Sequence, residues 1–180
     1  MLNKVKSACG GKKLMLCSFC GALVFSAGCS FSNPNVVLSD SVRTVKINAF
    51  SNKTVLYGLE DKLFQKISDA LMEDGRLVPA TENADALLVG DIIRYELIPL
   101  SFDANGIVEE YKLWIEADLR FIENSTGKVL CEETSIPIDV RFHPPGSSQP
   151  GAVIETEQDA QERAIDELAS EIVYILLRYK

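Results

Sequence analysis

The chain has 180 residues, with 18 Lys or Arg against 26 Asp or Glu, a formal net charge of −8. That balance excludes the basic footprint by which a nucleic-acid binder neutralises phosphates. A lone histidine, His143, excludes a histidine-based zinc centre, and no G-x-S-x-G, G-x-G-x-x-G or P-loop pattern occurs.

The N-terminus has three zones. Met1 to Lys13 is basic and free of acids, Leu14 to Phe25 is nearly all apolar, and Ser26-Ala27-Gly28 are small. This order predicts a secretory signal peptide over residues 1–28. The apolar zone, about a dozen residues, falls short of the roughly 20 that a spanning helix needs, which argues against an uncleaved anchor. Small residues followed by Cys29 resemble the lipobox of bacterial lipoproteins. There the thiol receives a diacylglyceryl group, the leader is removed and the new amino terminus is acylated. The resemblance implies that Cys29 is a lipid anchor, although Ser26 stands where the lipobox usually has Leu. The same residues also suit an ordinary cleavage site, with a soluble product beginning at Cys29.

Cys9 and the C-x-x-C pair Cys17 and Cys20 would leave with the leader, so Cys131 would be the one free thiol and no internal disulfide is expected. Loss of Lys4, Lys6, Lys12 and Lys13 leaves 14 basic residues against 26 acidic, a net charge of −12. Residues 29–41 read as a lipidated tether, polar with a proline. Residues 42–180 read as a single domain.

Val42 to Phe50 alternates, with Val45, Ile47 and Ala49 on one face and Lys46 on the other, which predicts a half-buried strand. Leu56 to Asp74 shifts to helical spacing, with Leu59, Leu63, Phe64, Ile67, Ala70 and Leu71 on one stripe and Gly75 as its stop. Ala84 to Pro99 predicts a second strand of imperfect parity. Placing Ile93, Tyr95 and Leu97 inside would bury Asp91 as well, and a bulge at Gly90-Asp91 would reconcile the two. Asn105-Gly106 marks a turn. Tyr111 to Glu123 alternates cleanly, with Leu113, Ile115, Ala117, Leu119 and Phe121 inward and Trp114 and Arg120 outward. Lys128 to Phe142 predicts a fourth strand, an edge or bent one because Pro137 lies inside it. His143 to Gly151 reads as a loop with His143 exposed to solvent. A closing helix is predicted over Thr156 to Tyr179, opened by a Thr156/Asp159 variant of the capping box.

These elements predict an α/β (α+β) two-layer sandwich, with a four-stranded mixed or antiparallel sheet and two helices on one face. The uncovered face would carry Trp114 and Arg120, with Lys46 and Arg94 nearby, and these four are the interface candidates. No nucleophile, metal-ligand set or cofactor motif accompanies them. The expectation is a binding protein without catalytic residues, cofactor or metal, with a carboxylate-pair hydrolase as the alternative that the many acids leave open.

From Val45 to Glu133 the sequence resembles the lipopolysaccharide-assembly lipoprotein family, LptE. The resemblance rests on Ala49, Phe50, Asn52 and Thr54 after the first strand, the Asp74-Gly75-Arg76-Leu77 helix stop, Ala84 to Gly90, and Tyr95 to Asp103. Ser30-Phe31 stand where family members often carry Gly-Tyr. The resemblance implies a lipoprotein on the periplasmic face of the outer membrane. It would sit inside the lumen of a large β-barrel partner, LptD, and help deliver lipopolysaccharide to the cell surface. Direct contact with lipopolysaccharide would need a local basic cluster, with Lys46, Arg94 and Arg120 as candidates, or bridging divalent cations. Two rival readings are an outer-membrane lipoprotein that regulates a cell-wall synthase and a soluble periplasmic ligand carrier.

Overall fold

A computed structural model describes residues 42–178. The leader and the whole tether, Cys29 included, lie outside the described residues.

The alternating segment forms β1 (Thr44–Ile47), in which Val45 and Ile47 are buried and Lys46 is exposed. After Phe50 the chain resumes as β2 (Ser51–Asn52), then turns into α1 (Leu59–Asp74). Gly58 and Gly75 bracket that helix at φ 86° and 75°, and the Gly75 N–H donates to the Leu71 carbonyl at 3.0 Å. Leu59, Leu63, Ile67 and Leu71 form the buried stripe. Phe64, expected on it, is 39 % exposed because it falls at the stripe's margin.

The sheet continues with β3 (Val78–Pro79), β4 (Ala86–Phe102), β5 (Val108–Glu123) and β6 (Val129–Phe142), and the chain closes with α2 (Glu157–Arg178). The strand order is β3-β1-β4-β5-β6, with β2 also paired to β4. β1 is parallel to β3 and β4, whereas β4, β5 and β6 are antiparallel, so the sheet is mixed. It has six strands, not the four expected. The two additional strands, β2 and β3, are two residues long and carry no hydrophobic period that a sequence pattern could reveal.

Both helices pack on one sheet face around a single core. On β5 the inward residues Leu113, Ile115, Ala117, Leu119 and Phe121 are each at most 1 % exposed, while Trp114, Asp118 and Arg120 remain accessible on the other face. The parity conflict in β4 is resolved by a bulge, but at Ile92–Arg94, two residues later than expected. Ala86, Leu88 and Ile92 face the core before it. Tyr95 and Leu97 pack against the core after it, and Ile93 is the extra residue. Gly90 stays in the regular ladder opposite Leu119 and has no room for a side chain. A Cβ there would lie 2.3 Å from the Phe50 ring and 2.4 Å from the Asp118 carbonyl oxygen.

The capping box of α2 forms with Asp in the usual Glu place. Asp159 N–H donates to Thr156 Oγ1 at 3.2 Å, and Asp159 Oδ2 accepts from the Thr156 N–H (3.2 Å) and hydroxyl (2.7 Å). β6 is an edge strand, as Pro137 foretold, and its outer edge is obstructed. Ser135 sits at φ 54° in a bulge, the Arg163 guanidinium donates to the Arg141 carbonyl at 3.1 Å, and the Glu155 N–H donates to the His143 carbonyl at 2.9 Å.

Candidate interface on the open sheet face

The bulge in β4 brings Arg94 onto the open face, opposite Glu116 of β5. Its Nε donates to Glu116 Oε2 and its Nη1 to Glu96 Oε2, both at 3.0 Å. These hydrogen bonds, Glu116's first and then Glu96's, hold the guanidinium in its charged form more firmly than usual. Glu116 is only 9 % exposed, a carboxylate that Arg94 partners.

Trp114, half-buried, lies in the same patch. The Arg94 Cζ is 4.5 Å and the Lys112 Nζ 4.7 Å from its ring centroid, within the range in which a cation is attracted to an aromatic quadrupole. Lys112, Trp114 and Glu116 occupy alternate positions of one strand, so they share a face by the pleat alone. The result is a fixed patch of two cations, two carboxylates and one indole.

The other two candidates lie elsewhere on the sheet. Arg120 is exposed four residues further along β5, about 13 Å from Glu116 at strand rise. It faces Val89 on one side and Glu132 on the other. Lys46 is exposed on β1 beside Leu87 and borders a depression of ≈ 920 Å³ with Asn48, Asp85, Glu123 and Asn124. Lys46, Arg94 and Arg120 therefore do not form one basic cluster. Cys29 lies outside the described residues.

Asp85 fixes the point where the chain enters the sheet. Its Oδ2 accepts from the Arg43 N–H (2.9 Å), the Thr44 N–H (2.8 Å) and the Thr44 hydroxyl (2.8 Å). Those bonds hold its carboxyl below the usual range, the Arg43 backbone contact contributing most.

At the opposite end of the sheet, Glu109 does the same for the Pro-rich loop. It is 9 % exposed and accepts from the Ser147 hydroxyl (2.6 Å), the Ser148 hydroxyl (2.6 Å) and the Ser148 N–H (2.8 Å). The serine hydroxyls, Ser147's first, keep its carboxyl below the usual range. His143, expected to be exposed, is half-buried: its Nδ1 lies 2.7 Å from the Glu109 carbonyl oxygen, and its backbone bridges Ile154. The loop is thus tied at His143 and again at Ser147 and Ser148.

Sequence reasoning missed Lys112, Glu116 and Glu109. The first two were readable, at i−2 and i+2 from Trp114 on an alternating strand. Glu109 had no local signal, since its partners lie 38 and 39 residues away.

Among the described residues no group of three or more His, Cys, Asp or Glu side chains is placed to hold a metal ion, and no helix is long and apolar enough to cross a membrane. The fold and this patch define a two-layer α+β module with a solvent-facing mixed-charge sheet. The model of the lipopolysaccharide-assembly family, LptE, matches residues 42–175, and the chain belongs to that family. No curated protein matches the chain. Among solved structures, a Xanthomonas campestris protein is 18% identical over 76% of this chain and 85% of its own, with a TM-score of 0.51. A hypothetical protein of Chlamydia trachomatis is 12% identical over 77% of this chain and 97% of its own, with a TM-score of 0.52. At these identities the likeness is one of fold.

Proposed function

We propose that the chain is an outer-membrane lipoprotein, held on the periplasmic face by acyl chains on Cys29. In this reading it joins an LptD-like β-barrel as the plug of a plug-and-barrel complex and assists lipopolysaccharide assembly at the cell surface. Family membership supplies the process. The observation that carries the plug role is the uncovered sheet face, where Arg94, Glu96, Glu116, Lys112 and Trp114 are held by one another. Such a surface suits the polar lumen of a large barrel, which a helix-covered sheet would not.

The plug role ranks above direct binding of lipopolysaccharide. Arg94 is already engaged by two carboxylates, and Arg120 and Lys46 stand apart from it. Phosphates would have to reach isolated cations or be bridged by divalent ions.

Pull-down of the lipidated chain from detergent-extracted outer membranes is expected to recover a very large β-barrel. The mature N-terminus is expected to carry fatty acyl chains by mass spectrometry, lost in Cys29→Ala. Depletion is expected to reduce both surface lipopolysaccharide and assembled barrel, and normal levels of both would remove the reading.

A further inference from the structure

Past the bulge in β4 the sheet has an open side. β2 ends at Asn52, opposite Ile92, and from Arg94 to Phe102 β4 pairs with β5 alone among the described residues. The pleat says which backbone groups line that side. Asn48 N–H donates to the Leu88 carbonyl and Lys53 N–H to the Ile92 carbonyl, both at 2.9 Å, so core-facing residues of β4 aim their backbone away from β5. After the bulge Tyr95 and Leu97 pack against the core, opposite Ile115 and Leu113. Their N–H and C=O groups therefore point outward too, recurring every two residues, roughly 6.7 Å. Pro99 continues the series, and a strand tolerates proline where the missing N–H would face away from the ladder.

A fixed apolar loop flanks this edge. The chain leaves it at Lys53, and Val55 and Tyr57 follow at 91 % and 93 % exposure. Asn52 holds the loop: its Nδ2 donates to the Leu56 carbonyl at 2.7 Å, and its Oδ1 accepts from the Thr54 N–H at 2.9 Å. The helix that follows begins near Tyr95, since Lys62 Nζ donates to Gln161 Oε1 at 2.7 Å and Gln161 Nε2 reaches the Tyr95 hydroxyl at 3.5 Å. None of these bonds uses the side chain of Val55 or Tyr57. Apolar groups held in place before binding lose little conformational freedom when a partner covers them.

We infer that this edge takes up an extended segment of another protein, with apolar side chains at alternate positions and a Lys or Arg among the others. Strand addition satisfies donors and acceptors at that spacing, which a lipid or an ion does not. The apolar residues of the segment lie beside Tyr95, Leu97 and the Val55 to Tyr57 loop, and its cation lies beside Glu96 on the open face. A second copy fits worse. The two-fold register that uses both Tyr95 and Leu97 sets Glu96 against Glu96, between chains of like net charge. The inference stands apart from the plug reading.

The test uses the full lipidated chain in detergent micelles and, as probe, the acetylated and amidated peptide Thr-Val-Thr-Val-Lys-Val-Thr. In the free chain the amides of Tyr95 and Leu97 are expected to exchange fast, and those of Arg94 and Glu96, which face β5, slowly. The peptide is expected to slow exchange at Tyr95 and Leu97 at least tenfold. Of two versions N-methylated at alternate residues in opposite phase, one is expected to bind at least tenfold more weakly and the other to bind as before, because a strand meets β4 with one set of N–H groups. Val55→Ser/Tyr57→Ser is expected to weaken binding at least threefold with an unchanged unfolding midpoint. Equal binding by the two N-methylated versions, undiminished binding by the double variant, or no slowing at Tyr95 and Leu97 overturns the site. Slow exchange of both amides in the free chain also overturns it, as monomer or as dimer by sedimentation, because the edge is then already taken.

Discussion

Gly90 offers the sharpest test of the core. A Cβ added there would lie 2.3 and 2.8 Å from two carbons of the Phe50 ring and 2.4 Å from the Asp118 carbonyl oxygen. Ordinary carbon contacts begin near 3.5 Å, so each overlap is on the order of 1 Å. Phe50 is 2 % exposed and has no solvent to retreat into, and the Asp118 oxygen belongs to the backbone of the central strand β5. Gly90→Ala should therefore cost about 1–3 kcal/mol, the usual range for forcing a methyl into a packed core. That is net of the roughly 0.5–1 kcal/mol which Ala gains by restricting the unfolded chain. Urea unfolding of the mature chain, followed by the fluorescence of its single tryptophan, reads this directly. In a Phe50→Ala background the ring overlap disappears and the carbonyl overlap stays, so the cost of Gly90→Ala should shrink without vanishing. A Gly90→Ala protein within about 0.5 kcal/mol of wild type would refute the placement of Phe50 over Gly90.

Acid should destabilise the domain. Asp85, Glu109, Asp159, Asp103 and Glu60 all have folded carboxyls below their usual range, from hydrogen bonds led by the Arg43 backbone, Ser147, Thr156, and the backbones of Ile107 and Glu60 respectively. Their stabilisation is complete above the unfolded carboxyl range near pH 4 and is lost as pH falls through the folded values. Urea midpoints should stay level above about pH 5 and decline below it, less steeply in Asp85→Asn relative to that variant's own plateau; a midpoint that rises on acidification contradicts this. Arg94→Ala leaves Glu116 without its guanidinium and should lower the urea midpoint, with Arg94→Ala/Glu116→Gln recovering part of the loss in a double-mutant cycle. Asn52→Ala removes the side chain that donates to the Leu56 carbonyl (2.7 Å) and Glu60 (2.8 Å) and accepts from Thr54 (2.8 and 2.9 Å). It should cost about 2–3 kcal/mol, with faster hydrogen exchange in residues 53–58 as the local sign.

The elements with strong periods were readable: the β5 alternation, the stripe of α1 to its Gly75 stop, and the Thr156 cap of α2 all lie where the pattern placed them. The bulge was inferred from conflicting parity but misplaced. Sequence shows that one residue must be extra but not which one, because the long-range β4–β5 register decides it. β2 and β3 were invisible because two-residue strands exist only by virtue of the strands they pair with. For the patch, Trp114 and Arg94 were chosen as outward residues. Their convergence depends on the β4–β5 register, a long-range fact absent from local pattern.

The obstructed margins of the sheet have a consequence for assembly. A proline stands in each outermost strand, Pro79 in β3 and Pro137 in β6, and Arg163 spends one of its donors on the β6 edge. A neighbour made of strands that are still seeking mates finds little ladder to extend along β3 or β6. Strand addition is thereby confined to the edge of β4 beyond β2, where Arg94 to Phe102 pair with β5 alone among the described residues.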